Sequence, residues 1–491
     1  MVMWNNILLI LPVVVPVLAG LLAGCIKSRS ARNALTGASL VINALLVLLA
    51  VLRSSQELTL WQLTDTVSIY FHVDGVSKLF ALLISCMWLC VGFYSFDYMK
   101  SEENEGRFYL FYLISLGVLI GLSFSGNLVT MYMFYELMTL MTLPLVLHTM
   151  SKEAVAAGVK YLLYSVFGAS LALLGIFFYA RYGSTMAFTA GGVLTAESMA
   201  GHESLMRWGT FAMIVGFGVK AGMFPMHGWL PTAHPVAPSP ASAVLSGVIT
   251  KAGVLGIIRV VYYLAGADFI RGTWVQAAWM TLALVTVFMG SMLAYRERLL
   301  KKRLAYSTVS QVSYVLTGLS TLSPIGFVGA LMHIVFHSVI KNGLFMSAGA
   351  IINKTGKTRV EELRGIGRQM PAVMWCFTLL SAGLIGVPPT CGFISKWYLA
   401  EGALSLTNTA FSWVVPCVLL VSAVLTAGYL LSITIAAFFP GRDFDTASLQ
   451  RAEPGALMLV PLIALAALTL LLGMFPTALI GFFKSIAALV M

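Results

Sequence analysis

Charge is what this sequence has least of. Asp, Glu, Lys and Arg make up 10 % of its 491 residues, where a soluble domain carries about 25 %. A water-soluble fold is therefore excluded. Intrinsic disorder is excluded too, because 59 % of the residues are hydrophobic and disorder needs low hydrophobicity. Acids are scarcer than bases, 19 Asp+Glu against 30 Lys+Arg. Cysteine is sparse as well: Cys25, Cys86, Cys90, Cys376, Cys391 and Cys417, most of them inside apolar runs and none in a CxxC pair. Cys86 and Cys90 stand one helical turn apart, which is ordinary for small buried residues. An iron–sulfur cluster, a zinc site and a disulfide framework are not expected. No GxGxxG opens a helix after a strand, so a dinucleotide fingerprint is missing too.

What is present is apolar sequence, in runs of about 20 residues, the length that crosses a bilayer as a helix. Mean hydropathy is +0.91. The fold expected is an all-α membrane protein of about 14 transmembrane helices, the first predicted at 5–25 and the last at 456–489. Lys27, Arg29 and Arg32 follow the first run and no basic segment precedes it. That predicts a retained first span with its N-terminus outside, not a cleaved leader. Of the loop Lys and Arg residues, 18 fall in odd-numbered loops, including Arg442, and only Arg53, Arg181, Arg207 and Arg271 in even ones. The positive-inside rule then places odd loops in the cytoplasm, both termini outside, and the chain in an inner membrane. It also accounts for the net charge of +11 without nucleic acid.

A few charges fall where charge is costly. Lys220, Lys251, Lys341 and Lys396 lie well inside apolar runs, and Glu136 sits within FYELMTL. A charge at mid-membrane costs at least about 2.5–3.5 kcal/mol on insertion scales, so these groups must face protein or water. One acid cannot pair four lysines, which favours an ion pathway over structural ion pairs. Lys78, Lys160, Arg259 and Lys484 lie near span ends, where a long side chain can snorkel. His333, His337 and Lys341 recur every four residues in HIVFHSVIK and so share one helical face. Histidine titrates near pH 6.5 and suits a proton relay. Haem is disfavoured, because two His on one helix face are not opposed axial ligands.

Two proline clusters predict broken helices. Pro225, Pro231, Pro235, Pro238 and Pro240 fall just after Lys220, and Pro388 and Pro389 just before Lys396. Proline removes a helix donor, and in lipid the freed carbonyls must face protein or a wet cavity. The mirrored order, Lys–Pro and then Pro–Lys, suggests two inverted five-helix repeats with broken helices 7 and 12. The predicted division is 1–106 for helices 1–3, 107–264 and 265–438 for the two repeats, and 439–491 for helix 14.

In the order FYE, VKAGMFPMHGWLPTAHPVAPSPASA, ITKAG, HIVFHSVIKNGLF and GVPPTCGFISKW, the chain resembles the antiporter-like subunits of respiratory complex I, membrane-bound hydrogenases and Mrp cation/proton antiporters. The resemblance covers nearly the full length. It implies a hydrated polar axis at mid-membrane and a coupling pair of Glu136 with Lys220. It further implies relay positions at Lys251, His333, His337 and Lys341, and an exit-side residue at Lys396. Lysine rather than glutamate at 396, and no long amphipathic helix after span 14, lean toward a hydrogenase-type or Mrp D-like member. The function implied is proton translocation in a redox-driven complex. This chain would hold no cofactor; iron–sulfur, nickel–iron or flavin centres would belong to partner subunits. Partners would be other membrane subunits, the lipid bilayer, and protons or sodium. Sodium needs clustered oxygen ligands, and intramembrane carboxylates are scarce here. The alternatives are a sodium/proton module of an Mrp-type assembly and a non-transporting scaffold or quinone-binding subunit.

Overall fold

A computed structural model describes residues 2–491 apart from 54–56, 66, 408, 442 and 446–448; side chains 2–6 and 196 are also outside the description. Arg442, counted among the cytoplasmic charges, therefore lies outside the described residues.

Among the described residues, seventeen longer helices carry the chain. They are α1 Val2–Cys25, α2 Arg29–Val51, α3 Gly75–Tyr98, α4 Glu105–Phe124, α5 Leu128–Val146, α6 Lys152–Tyr182, α7 Glu203–Ala221, α8 Leu230–Val236 and α9 Ser239–Ala265. After these come α10 Trp274–Arg296, α11 Leu300–Ser320, α12 Pro324–Thr355, α13 Pro371–Ile385, α14 Cys391–Leu404, α15 Phe411–Phe438, α16 Ala456–Met474 and α17 Thr477–Val490. Among the described residues, eleven helices are individually long and apolar enough to cross a membrane. α7, α11 and the pair α13/α14 fall outside that group. α11 is polar for a span, with Lys301, Lys302 and Arg303 in its first turn and Ser, Thr and Gln further along. The all-α membrane class holds.

The breaks come where backbone chemistry requires them. α7 ends at Gly222, which takes φ +79°, a left-handed conformation cheap only for glycine. The freed Val219 carbonyl accepts from Trp229 Nε1 at 2.8 Å. α13 ends in the same way at Gly386, φ +91°, and Pro388 and Pro389 bar its continuation. A third break is a correction: the predicted last span is two helices, α16 and α17, parted at Phe475–Pro476. A lone proline there was too weak a signal against the surrounding apolar run.

α9 is buried along its whole length and α12 along most of its own. α12 packs on α3, α11, α13, α14 and α16. The Lys- and His-bearing helices are thus central, while α1, α2, α15 and α16 expose large apolar side chains outward. A short hairpin that hydropathy did not reveal, β1 Glu57–Gln62 with β2 Ser68–His72, is antiparallel and pairs Glu57 with His72.

Arg259 also departs from expectation. It does not snorkel. It is 2 % exposed and forms a two-pronged ion pair with Asp74, at 2.5 and 2.9 Å, with Ser77 Oγ at 2.9 Å. The stem cannot reach water because the last turns of α9 are packed on every side.

Candidate proton-transfer axis

The first broken helix presents Lys220 from its last turn. Lys220 is 1 % exposed. Its ammonium donates to Thr139 Oγ1 at 3.0 Å, Tyr161 Oη at 3.0 Å and Ser165 Oγ at 2.8 Å. It also lies 4.4 Å from the centre of the Tyr161 ring. Three donors meet three neutral acceptors, so the charge is solvated without a carboxylate. Glu136 lies on α5 one turn before Thr139, half-buried, with its Oε1 lacking a hydrogen-bond partner. No ion pair joins Glu136 to Lys220 among the described residues. The two share a neighbourhood through α5 rather than a contact.

Lys251 stands just past a π-helical turn, Leu245–Ile249. Such turns break the regular hydrogen-bond ladder and are common at functional sites. Here the Ser246 carbonyl accepts from Lys251 Nζ at 2.6 Å. The same Nζ meets His337 Nδ1 at 2.7 Å. The close approach of α9 to α12 depends on Gly247, where a Cβ would stand 2.0 Å from Asn342 Nδ2.

The histidines then lead to the second broken helix. The His337 and His333 rings are 6.0 Å apart, and each has Nε2 without a partner. His333 Nδ1 lies 2.9 Å from Ser395 Oγ, whose hydroxyl donates to the Gly392 carbonyl. A hydroxyl has one proton, so Ser395 must accept from His333 Nδ1–H. That leaves a lone pair on His333 Nε2. With the Lys251 ammonium donating to Nδ1, His337 carries its proton on Nε2. The two unpartnered atoms are thus one donor and one acceptor, polarised for a step from His337 to His333.

Lys396 follows Ser395 in sequence. Its ammonium caps the broken end of α13, donating to Leu384 O at 2.7 Å and Ile385 O at 2.8 Å. A cation at a helix C-terminus is favoured by both the orphan carbonyls and the helix dipole. Lys341 is set apart from the other six. Its ammonium donates to Leu304 O of α11 at 3.0 Å. Four-residue spacing on a 3.6-residue helix drifts about 40° per step. Two steps past His333, the side chain faces a different neighbour.

Lys251, His337, His333 and Ser395 therefore form one line, with Lys396 reached only across the Tyr314 ring, on which His333 stacks and over which the Lys396 ammonium lies; Lys220 with Glu136 nearby is a second cluster, and Lys341 a branch. The hydroxyls that hold them, on Thr139, Tyr161, Ser165 and Ser395, were not legible in the sequence. Short polar residues are frequent in membrane helices, and nothing in their spacing separates a lysine cage from an ordinary interhelical bond.

The description "NADH:quinone oxidoreductase/Mrp antiporter, TM" matches residues 125–426, the stretch that holds all seven of these residues. The chain belongs to this family. The family's complex I chain 5 N-terminal description also matches residues 61–109. The NADH-quinone oxidoreductase subunit N of Desulforudis audaxviator is 32 % identical over 82 % of this chain and 81 % of its own. The D-type Na(+)/H(+) antiporter subunit of Alkalihalophilus pseudofirmus is 28 % identical over 95 % and 94 %. The membrane-bound sulfane sulfur reductase, an archaeal respiratory membrane complex, contains a chain with TM-score 0.86 at 22 % identity, covering 99 % of this chain and 97 % of that one. At that identity the likeness shows a shared fold.

Proposed function

We propose that this chain is a proton-translocating subunit of a multi-subunit membrane complex driven by a redox reaction in partner subunits. The observation that carries it is the unbroken Lys251–His337 contact beside the polarised His337–His333 pair and the Ser395 link toward Lys396. A buried lysine held only by neutral acceptors can release and regain a proton without stranding a counter-charge. Glu136, with one oxygen unpartnered near a surface that exposes Met133, Leu137 and Leu140, suits a group that takes its charge cue from a neighbouring subunit. The reading includes 14 spans, obtained by adding α7, α11 and α13/α14 to the eleven. It also includes the two inverted repeats, an inner-membrane location and both termini outside. Redox centres, where present, lie in partner chains.

The near full-length match to a D-type antiporter chain supports a second reading, a module of a sodium/proton antiporter. One preparation separates the two. The chain is purified gently from its native membrane and its companions are identified. Iron–sulfur with nickel–iron or flavin subunits support the redox-driven reading. Small membrane subunits and other antiporter-like chains, with sodium flux, support the second. Proton flux at the wild-type level in assembled Lys251→Ala complex would sink both and favour a scaffold.

A further inference from the structure

Lys396 lies beyond the line that ends at Ser395, and no hydrogen bond joins its ammonium to His333 or Ser395 among the described residues. What lies between is Tyr314 of α11, fully buried. The His333 ring is nearly parallel to the Tyr314 ring, with centroids 5.5 Å apart and planes 18° apart. The Lys396 ammonium lies 5.1 Å from the same ring centre, inside the reach of about 6 Å over which a π face attracts a cation.

Tyr314 cannot hand a proton on. Its Oη donates to the Leu419 carbonyl of α15 at 2.9 Å, and the faces of its ring hold no exchangeable proton. The first broken helix shows the contrast. There Tyr161 accepts from Lys220 through Oη at 3.0 Å, besides lying 4.4 Å from the ammonium at its ring centre. At Tyr314 the hydroxyl is turned to α15, and only the ring is offered. Any large apolar side chain would serve packing, and the hydroxyl alone would serve the bond to α15. Neither need explains one ring shared by the two ionisable groups at the end of the line.

We propose that Tyr314 is the positioning residue of the last transfer: its ring holds the positive charge first as the His333 imidazolium and then as the Lys396 ammonium, and keeps the two from being charged together. This rests on the relay reading of Lys251. The His333 imidazolium gives up its Nδ1 proton by way of Ser395. The Lys396 amine, having released its own proton, gains one through water around the edge of the ring. One N–H bond breaks and one forms. The charge stays within the field of the ring throughout, so it is not stranded in the apolar interior. Two cations beside one ring would repel strongly in that low dielectric, which limits the pair to one. The other titratable group at the ring is Tyr429 of α15, neutral below about pH 10; His337 and Lys251 stand behind His333.

The test uses the intact complex in sealed vesicles, with assembly followed by co-purification. Tyr314→Leu keeps apolar volume and removes the π face. Proton transport is expected to fall about tenfold, and the midpoint of its pH profile to move about one pH unit toward acid, because the charged forms lose the ring; both are the size of one cation–π contact in a desolvated site. Tyr314→Phe is expected to restore most of the transport. Replacing Tyr314 by mono-, di- and trifluorophenylalanine keeps the ring's shape and weakens its π face stepwise, so rate and midpoint should follow fluorination. Assembled Tyr314→Leu within about twofold of wild type would overturn the proposal. So would Tyr314→Phe as slow as Tyr314→Leu, which assigns the effect to the hydroxyl. A fluorinated series level with Tyr314→Phe also overturns it, and that series decides if Tyr314→Leu does not assemble. Lys251→Ala separates the two readings: normal transport in it fails the relay, whereas inactive Lys251→Ala with a level series fails Tyr314 alone.

Discussion

Two kinds of buried cation coexist in this protein. Arg259 is clamped by a carboxylate, Asp74, and flanked by the Phe188 and Tyr263 rings. Lys220, Lys251, Lys341 and Lys396 are held by hydroxyls, carbonyls and one imidazole. An arginine stays protonated at any working pH, so the first arrangement is a fixed joint between α3 and α9. A lysine among neutral acceptors can lose its proton and leave an uncharged amine that the same groups still bind. The partner chosen for each cation thus separates a structural joint from the transport role proposed for the lysines.

Breaking the joint should have the largest effect on stability. Asp74→Ala leaves Arg259 buried and unpaired, and we expect a loss of about 3–5 kcal/mol, read as reduced yield and a lower thermal midpoint of the complex. The opposite result is expected of Lys251→Met. It removes a buried charge, so the thermal midpoint should hold or rise while proton flux falls at least tenfold. A Lys251→Met complex as unstable as Asp74→Ala would erase the distinction between the two cations.

Smaller changes sharpen it. Thr139→Val and Ser165→Ala each deprive the Lys220 ammonium of one acceptor, a loss of about 1.5–3 kcal/mol for a charged hydrogen bond. Transport should fall in each and further in the double variant. At Lys396 the acceptors belong to the backbone, so the lysine itself must be changed. Lys396→Gln keeps a donor for Leu384 and Ile385, whereas Lys396→Ala orphans both. Transport should drop in both, but only the alanine variant should lose about 1–3 kcal/mol of stability. Equal thermal midpoints would remove the capping role.

The smallest effect expected is on acid stability. Burial pushes the Asp74 carboxyl up, but the Arg259 guanidinium and the hydrogen bonds from Arg259 and Ser77 outweigh it. They hold it at about 2, below its ordinary 3.8. A depressed carboxyl stabilises the fold above its unfolded value, and that stability is lost as pH falls through the folded one. The wild-type thermal midpoint should therefore decline between about pH 4 and pH 2. Asp74→Asn, already lower at neutral pH, should decline less over the same interval.

Much of this was legible without coordinates. Apolar run length determined the class, because a bilayer accepts only segments whose backbone bonds close internally. The two proline clusters marked the breaks at Gly222 and Gly386, since a missing donor is local chemistry. The cost of an intramembrane charge singled out Lys220, Lys251, Lys341, Lys396 and Glu136. Partners were not legible. That Arg259 meets Asp74, 185 residues away, that Lys251 meets His337, and that Lys341 turns to α11 depend on how α3, α9, α11 and α12 lie against one another. Helical period gives the face a side chain occupies, but the facing helix is chosen by close packing at positions such as Gly247. The sequence determined which residues place charge inside the membrane, and the tertiary structure decided which of those charges meet a counter-charge and which are held by neutral acceptors.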